Sequence, residues 1–364
     1  MKKIKFSKRI LAAGLVLALC LGTITGCQEK YPSGIVKEGG FTQEEASSTK
    51  VMVIGDYEIF MDEILIYAFQ DAYMNGVTSD SWESKDATRK EAILSSIREG
   101  KILYDVAIHN NCELGESDIE FVNTSVNNFK MTMGDDILTK YGISDEVINK
   151  VFTEQAIVSK FENDMQNDMG QTITDDLNEA YKDYQFFSYY YMMFPIVEVN
   201  ENNEPATNED GSYIYLSDAE KEQAKKNAEE AIAKIEGGAT HTDVAEEYGI
   251  TPYCLDRVGY VDPNVELDEY TASIKDLKDG ECSEVIENTL GYIVAVMLDS
   301  DDENLREGYI SSMASEGVSS EYESLRQQWL ATIPVDVEKD MEGTVWTDFD
   351  LKSVIVDMET GGII

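Results

Sequence analysis

Residues 186–199 read FFSYYYMMFPIVEV, and this stretch decides the fold of the second half of the chain. It is aromatic, β-branched and apolar, and the polar run from Asn200 to Gly211 ends it. Strands that face water on one side alternate polar and apolar residues, whereas strands covered on both faces do not. The composition therefore predicts a buried strand.

The residues that follow predict a mixture of helices and strands. Ser217-x-x-Glu220 and Thr240-x-x-Asp243 have the spacing of capping boxes, which begin helices, and Gly237-Gly238 ends the first helix. Later segments indicate a strand over 258–261, a helix over 267–277 and a strand over 291–298. The predicted order is βααβαβ.

Upstream of residue 186 the pattern is helical. After a candidate capping box at Ser117-x-x-Glu120, apolar residues recur at spacings of three and four up to Met133, which predicts one buried helical stripe. A late helix carries Trp329. The tail, 339–364, holds strand-like residues that fit no predicted element.

The second half of the chain contains a series of short motifs. In chain order they are AEEA at 228–231, DVAEEY at 243–248, VGYV at 258–261, LKDGECS at 277–283 and LGY at 290–292. This ordered series resembles a parvulin-type peptidyl-prolyl isomerase domain. VIGDYEI at 53–59 is similar to the strand that opens many extracytoplasmic foldases of the PrsA and SurA type. The chain thus resembles these foldase lipoproteins over nearly all of residues 51–338.

The resemblance implies an α+β architecture, in which a parvulin-like domain is inserted into a helical chaperone domain. The helical domain takes residues 51–185, and the βααβαβ domain takes residues 186–300. A C-terminal helix within residues 301–338 packs back on the helical domain. Residues 339–364 are a tail of unassigned structure.

The resemblance also implies a substrate pocket from which the family's histidines are missing. Parvulins carry a histidine on the first strand and another on the last, beneath a small apolar proline pocket. Alignment puts Tyr191 and Ile293 at these positions, so no confident catalytic residue remains. The residues implied to bind substrate are Tyr191, Met193, Val258, Leu267, Tyr270 and Ile293.

Rotation about an X-Pro bond requires no nucleophile, because an enzyme can lower the barrier by binding the twisted amide. Weak isomerase activity therefore stays possible without the histidines. We expect client binding with weak or absent isomerase activity.

The amino terminus predicts export and a lipid anchor. A basic segment is followed by an apolar run from Ile10 to Leu21, too short to span a bilayer, which indicates a signal peptide over 1–26. Ile24-Thr25-Gly26-Cys27 resembles the bacterial lipobox, which implies lipidation of Cys27 and attachment to the outer face of the cytoplasmic membrane. Residues 27–50 are predicted to be a flexible tether.

Composition excludes other classes of function. The 364 residues include 71 acidic and 29 basic side chains, for a formal charge of -42, and only two histidines. A protein with this much negative charge repels phosphate backbones. Nucleic acid is therefore not an expected partner. No cofactor is predicted. No metal site is predicted either, because His109 and Cys112 are close in sequence but have no third or fourth ligand nearby.

Unfolded or partly folded exported polypeptides are the expected partners. An alternative from another class is a surface lipoprotein that uses the same scaffold to hold one dedicated secretion or envelope partner. The acidity either attracts basic client segments or only keeps the protein soluble. Cys254 and Cys282 could form a disulfide, because both leave the cytoplasm. The sequence does not show how far apart they are, so this question stays open.

Overall fold

The computed structural model describes residues 40–81, 86–333 and 345–364. The predicted signal peptide and the lipidation site at Cys27 lie outside these residues. The chain forms two compact units. The first runs to Gly170 and resumes at Val318, and the second spans Gln171–Gly317.

The first unit is built of helices and one small hairpin. Helix α6 (Asp145–Tyr181) begins in the first unit and ends in the second, and helix α10 (Glu303–Leu330) begins in the second unit and ends in the first. The elements outside the second unit's sheet region are α1 (Gln43–Ser48), β1 (Lys50–Ile54), β2 (Tyr57–Phe60), α2 (Met61–Met74), α3 (Asp86–His109), α4 (Glu116–Met133), α5 (Asp135–Lys140), α6 (Asp145–Tyr181), α10 (Glu303–Leu330), α11 (Val345–Asp348) and α12 (Leu351–Thr360).

The second unit holds a four-stranded antiparallel sheet with helices on it. Its remaining elements are β3 (Gln185–Pro195), α7 (Asp218–Glu236), α8 (His241–Glu247), β4 (Cys254–Val261), α9 (Glu269–Ile274), β5 (Ile286–Glu287) and β6 (Gly291–Asp299). The strand order is β4-β3-β6-β5, so the strand predicted from residues 186–199 lies inside the sheet. The mixture of helices and small sheets is the predicted α+β class.

The element order differs from βααβαβ in one respect, because the two-residue strand β5 precedes the last strand. Strand β3 also ends at Pro195, earlier than predicted, and Val197 and Val199 pair only through isolated bridges. Strand β4 begins four residues before the predicted 258, at Cys254.

The tether prediction is wrong for residues 40–50, because the folded body already includes them. Phe41 is buried, and the Thr42 side chain accepts a hydrogen bond from the Glu45 amide to cap α1. Ala46 on this helix is completely buried. A local capping box and two apolar anchors therefore order this segment.

The tail also belongs to the core of the first unit, although its β-branched and aromatic residues suggested strands. Trp346 on α11 is 1% exposed and stacks on Phe349 with ring centroids 5.9 Å apart. The Lys90 ammonium donates hydrogen bonds to the Thr347 carbonyl at 3.0 Å and to the Phe349 carbonyl at 2.5 Å. Packing against α3 thus decides the helical structure of the tail.

Aromatic packing explains why the second unit includes the end of α6 and the beginning of α10. The Tyr309 ring lies 5.4 Å from Tyr181, 5.5 Å from Phe186 and 5.6 Å from Tyr260, measured between centroids. The Arg306 guanidinium lies 5.3 Å from the Phe186 ring centroid. These contacts join both helix ends to the sheet.

A buried group of charges lies in the first unit. Lys101 is 1% exposed, and its ammonium contacts the Glu154 carboxylate and lies 2.5 Å from Glu63 Oε1. The Lys150 ammonium lies 2.8 Å from Glu63 Oε2.

Within the described part of the chain, no helix has the length and apolar character needed to cross a membrane.

Candidate functional site

The two faces of the sheet in the second unit differ. On one face, Met192 and Phe194 pack on Ala228 of α7 and Val244 of α8 in one apolar cluster. The opposite face, which we call the α9 face, belongs to a second cluster. That cluster joins Phe187, Tyr189, Ala295, Met297 and Ile274, with Tyr191 and Tyr270 packed against it.

Three of the predicted site residues meet on the α9 face. Tyr191 and Met193 are two apart on β3, so their side chains point to the same side. Ile293 on β6 is directly opposite Met193 and is buried, and it is a diagonal neighbour of Tyr191, which is opposite Ala295. Tyr191 and Ile293, the two positions that the sequence resemblance assigns to the parvulin histidines, are therefore neighbours. One side chain is aliphatic and the other carries a phenol.

Tyr270, the fourth predicted residue, covers part of this face from α9. Its ring centroid lies 6.2 Å from that of Tyr189. The Tyr270 hydroxyl is buried beside Tyr189, yet it makes no hydrogen bond of ordinary geometry among the described residues. Burial raises the pKa of this phenol, so the hydroxyl is neutral at physiological pH.

The electrostatics of the face centre on Tyr191. Its hydroxyl donates to the Met193 sulfur at 3.5 Å, and the Arg257 guanidinium lies 5.6 Å from its ring centroid. Burial raises the pKa of Tyr191, although Arg257 and Asn288 oppose that shift. The face therefore offers a neutral phenol and one cation, and neither is a general base near neutral pH.

The structure places Val258 apart from the other predicted site residues of the sheet. Val258 pairs with Ser188 on β3, whereas Leu255 pairs with Tyr191. Because alternate residues of a strand point to opposite faces, Leu255 shares the α9 face and Val258 points away from it. Leu267 precedes α9 in a loop and is partly exposed. The α9 face thus brings together Tyr191, Met193, Tyr270 and Ile293, and not Val258.

Leu255 and Arg257 are the site residues that the sequence interpretation missed. Leu255 is 41% exposed and opposite Tyr191, so it extends the apolar surface of the α9 face to the edge of the sheet. Gly259, two residues after Arg257, leaves room for the Phe187 ring, since a Cβ there would lie 2.6 Å from that ring. The motif VGYV contains this glycine, and alternation outward from it would have indicated Arg257 and Leu255.

The histidine and the two cysteines of the second unit lie on the other side of the sheet. His241 packs its ring 4.3 Å from that of Tyr190, between centroids. Cys254 and Cys282 are separate thiols and do not form a disulfide. Burial raises the pKa of Cys282 to about 11 and also raises that of Cys254, which makes both poor nucleophiles near neutral pH. Among the described residues no group of His, Cys, Asp and Glu could hold a metal ion.

Comparison with protein families and with curated proteins finds no match. Comparison with solved structures matches the foldase PrsA of Lactococcus lactis at 15% identity and a TM-score of 0.32, covering 85% of this chain and 99% of that chain. The foldase PrsA of Streptococcus pneumoniae matches at 14% identity and a TM-score of 0.28, covering 83% of this chain and 100% of that chain.

PrsA of Bacillus cereus, named as a peptidylprolyl isomerase, matches at 15% identity and a TM-score of 0.26, covering 86% of this chain and 99% of that chain. These proteins bear the name of the family that the sequence motifs resemble. Identities and TM-scores this low carry no argument about function, which therefore depends on the residues of the α9 face.

Proposed function

We propose that this protein is an extracytoplasmic foldase that holds unfolded or partly folded exported polypeptides, with weak or absent isomerase activity. The observation that carries the proposal is the α9 face, where Tyr191, Met193 and Leu255 form a partly exposed apolar surface beside the buried Ile293. Unfolded chains expose apolar side chains, and such a surface removes them from water.

The same face argues against efficient prolyl isomerisation. Its positions equivalent to the parvulin histidines hold Tyr191 and Ile293, and neither has an imidazole to place beside a twisted amide. The raised pKa of Tyr191 keeps its hydroxyl as a hydrogen-bond donor. Apolar lining alone can bind a proline-containing segment without distinguishing its twisted form from its planar form, and such binding does not accelerate rotation.

The anchoring part of the proposal depends on the lipobox-like residues. Lipidation of Cys27 would hold the protein at the outer face of the cytoplasmic membrane, with a single lipid-modified cysteine as the attachment. Replacing Cys27 with serine should release the protein from the membrane fraction. A C27S protein that still fractionates with membranes would contradict the anchor.

Charge supports polypeptides with basic segments as preferred clients. At -42 the chain attracts positive clients over about 10 Å at 0.1 M salt. We therefore expect client affinity to fall as salt rises, with the largest loss for basic clients. Affinity that stays constant between low and high salt would mean that the acidity serves only solubility.

Suppression of aggregation tests the proposed function directly. We expect the protein to slow the aggregation of several unrelated denatured proteins, and the double variant Tyr191→Ser/Met193→Ser to lose most of this effect. Met131→Ser is the matched control, because Met131 is an exposed methionine on α4 of the first unit, 80% accessible. No suppression of any client, with one stoichiometric partner recovered from cells, would favour the dedicated-partner alternative.

A further inference from the structure

The two edges of the sheet in the second unit are unequal. Strand β5 at one edge has two residues, whereas β4 at the other has eight. Edge strands usually carry charged side chains, proline or a bulge, which hinder pairing with another chain. Strand β4 (CLDRVGYV) has no proline, lysine or bulge, and its register with β3 is continuous from Val261 to Cys254. Its charged side chains are those of Asp256 and Arg257.

Two hydrogen bonds fix which backbone groups of β4 point outward. The Ile196 amide donates to the Leu290 carbonyl at 2.8 Å, and the Asp302 amide donates to the Phe186 carbonyl at 2.8 Å. The amide and carbonyl groups of even-numbered residues of β3 therefore point toward β6, and those of odd-numbered residues point toward β4. In an antiparallel pair, the residues opposite those odd-numbered positions bond to β3, and the residues between them point away.

The outward-pointing residues of β4 are thus Asp256, Val258 and Tyr260. Among the described residues, no backbone or side-chain hydrogen bond reaches their amide and carbonyl groups. Val258 is 62% exposed and Tyr260 is 51% exposed, so the edge is open to solvent. Their side chains lie on one face, because they are two apart along the strand.

We propose that β4 binds an extended segment of a client polypeptide as a fifth, antiparallel strand. The segment presents an apolar residue opposite Tyr260, a second apolar residue opposite Val258 and a lysine or arginine opposite Asp256. In the order of the client chain this is apolar, any residue, apolar, any residue, basic. Cross-strand apolar and opposite-charge pairs stabilise such a ladder, and the client's backbone supplies the missing hydrogen bonds.

This inference rests on the proposed function, because it names the mode by which a client is held. It also gives Val258 a role different from that expected from the sequence, since the residue contributes to the edge and not to the α9 face. Backbone pairing makes few demands on the client's sequence, which suits a protein that holds many unfolded chains.

Two N-methylated heptapeptides with the sequence Thr-Val-Thr-Val-Thr-Lys-Thr separate backbone pairing from side-chain contact. In the first, the second, third and fourth threonines carry N-methyl groups, which blocks the outer edge and leaves the pairing edge free. In the second, Val, Val and Lys are N-methylated instead. Composition and charge are the same in both peptides.

We expect the first peptide to bind and to slow hydrogen exchange of the Asp256, Val258 and Tyr260 amides in the full-length protein. The second should bind at least about ten-fold more weakly, because several backbone hydrogen bonds are lost. Equal affinity of the two peptides, or binding of the first without protection of these amides, would overturn the inference. Concentration-dependent protection in the free protein would also overturn it, since a second copy would then occupy the edge.

Variants at Val258 provide an independent test. Val258→Pro removes one outward amide and leaves the ladder with β3 intact, so it should abolish binding of the first peptide. Val258→Thr keeps the amide and the β-branched shape, and it should bind the peptide nearly as well as the parent. Equal binding by both variants would contradict pairing at this edge.

Aggregation assays on the parent protein separate the two proposals. If the parent suppresses aggregation but the peptides bind with equal affinity, edge pairing fails and the proposed function stands. If the parent suppresses no aggregation, the proposed function itself fails.

Discussion

Lys101 is the residue on which the buried charges of the first unit depend. Replacing it with methionine leaves the Glu63 and Glu154 carboxylates facing each other with one cation fewer, and an uncompensated buried charge costs about 3–5 kcal/mol. We expect Lys101→Met to lower the free energy of unfolding by about this amount in urea titrations. Lys160→Met, at an exposed ion pair with Asp164, should change it far less, and equal effects would contradict the account.

Asp62 gives a prediction about pH. Burial raises the pKa of this carboxyl above its ordinary value, despite the hydrogen bond that its Oδ1 accepts from the Glu63 amide. The folded protein therefore binds the proton more tightly than the unfolded chain, so the ionised carboxylate destabilises the fold as the pH rises above the ordinary pKa.

Asp62→Asn should thus increase the free energy of unfolding at neutral pH, and the gain should vanish at pH values below the ordinary carboxyl pKa. Urea titrations at several pH values measure the difference. Asp210→Asn is a control of opposite sign, since hydrogen bonds from Ser212 lower the pKa of Asp210. A gain for Asp62→Asn that does not change with pH would contradict burial as its cause.

Single residues also show where sequence reasoning stops. The positions of Tyr191 and Ile293 on one face were predictable, because motif alignment and strand alternation agree. The face on which Val258 lies was not predictable, because a motif fixes its place in the chain but not its register. Its pairing with Ser188 instead of Tyr191 turns its side chain to the other face.

At the scale of elements, the C-terminal helices provide the clearest test. Trp346 on α11 is buried, and its indole nitrogen donates to the Lys90 carbonyl at 3.4 Å. Trp346→Ala should lower the free energy of unfolding by about 3–5 kcal/mol, because a large core side chain leaves a cavity. Urea unfolding measures this, and Val356→Ser on the exposed side of α12 is the control. A small effect for Trp346→Ala would mean that the tail is not part of the core.

Local signals predicted some element boundaries and failed at others. Thr240 caps α8 as predicted, with the Asp243 amide donating to its hydroxyl at 3.1 Å. The predicted cap at Ser117 is wrong, because Gly115 precedes the helix and its amide donates to Asp118 at 2.9 Å. The tail could not be assigned because its helices depend on distant contacts with α3, which no local pattern encodes.

At the scale of the whole molecule, the sequence predicted the α+β class, and its motifs resemble those of PrsA-type foldases. It could not predict that the second unit includes the end of α6 and the beginning of α10, since aromatic contacts across more than one hundred residues decide that boundary. The proposed function also belongs to this scale, because an acidic protein with an apolar sheet face combines attraction of basic chains with burial of their apolar residues.

The central claim is that the α9 face binds apolar client segments without catalysing prolyl rotation. One magnetic resonance titration tests it, with a proline-containing tetrapeptide of apolar residues and the methyl-labelled full-length protein. We predict a saturable shift of the Met193 methyl resonance, while the cis-trans exchange rate of the peptide stays at its uncatalysed value. Strongly accelerated exchange, or saturation of the protein without a shift at Met193, would contradict the account.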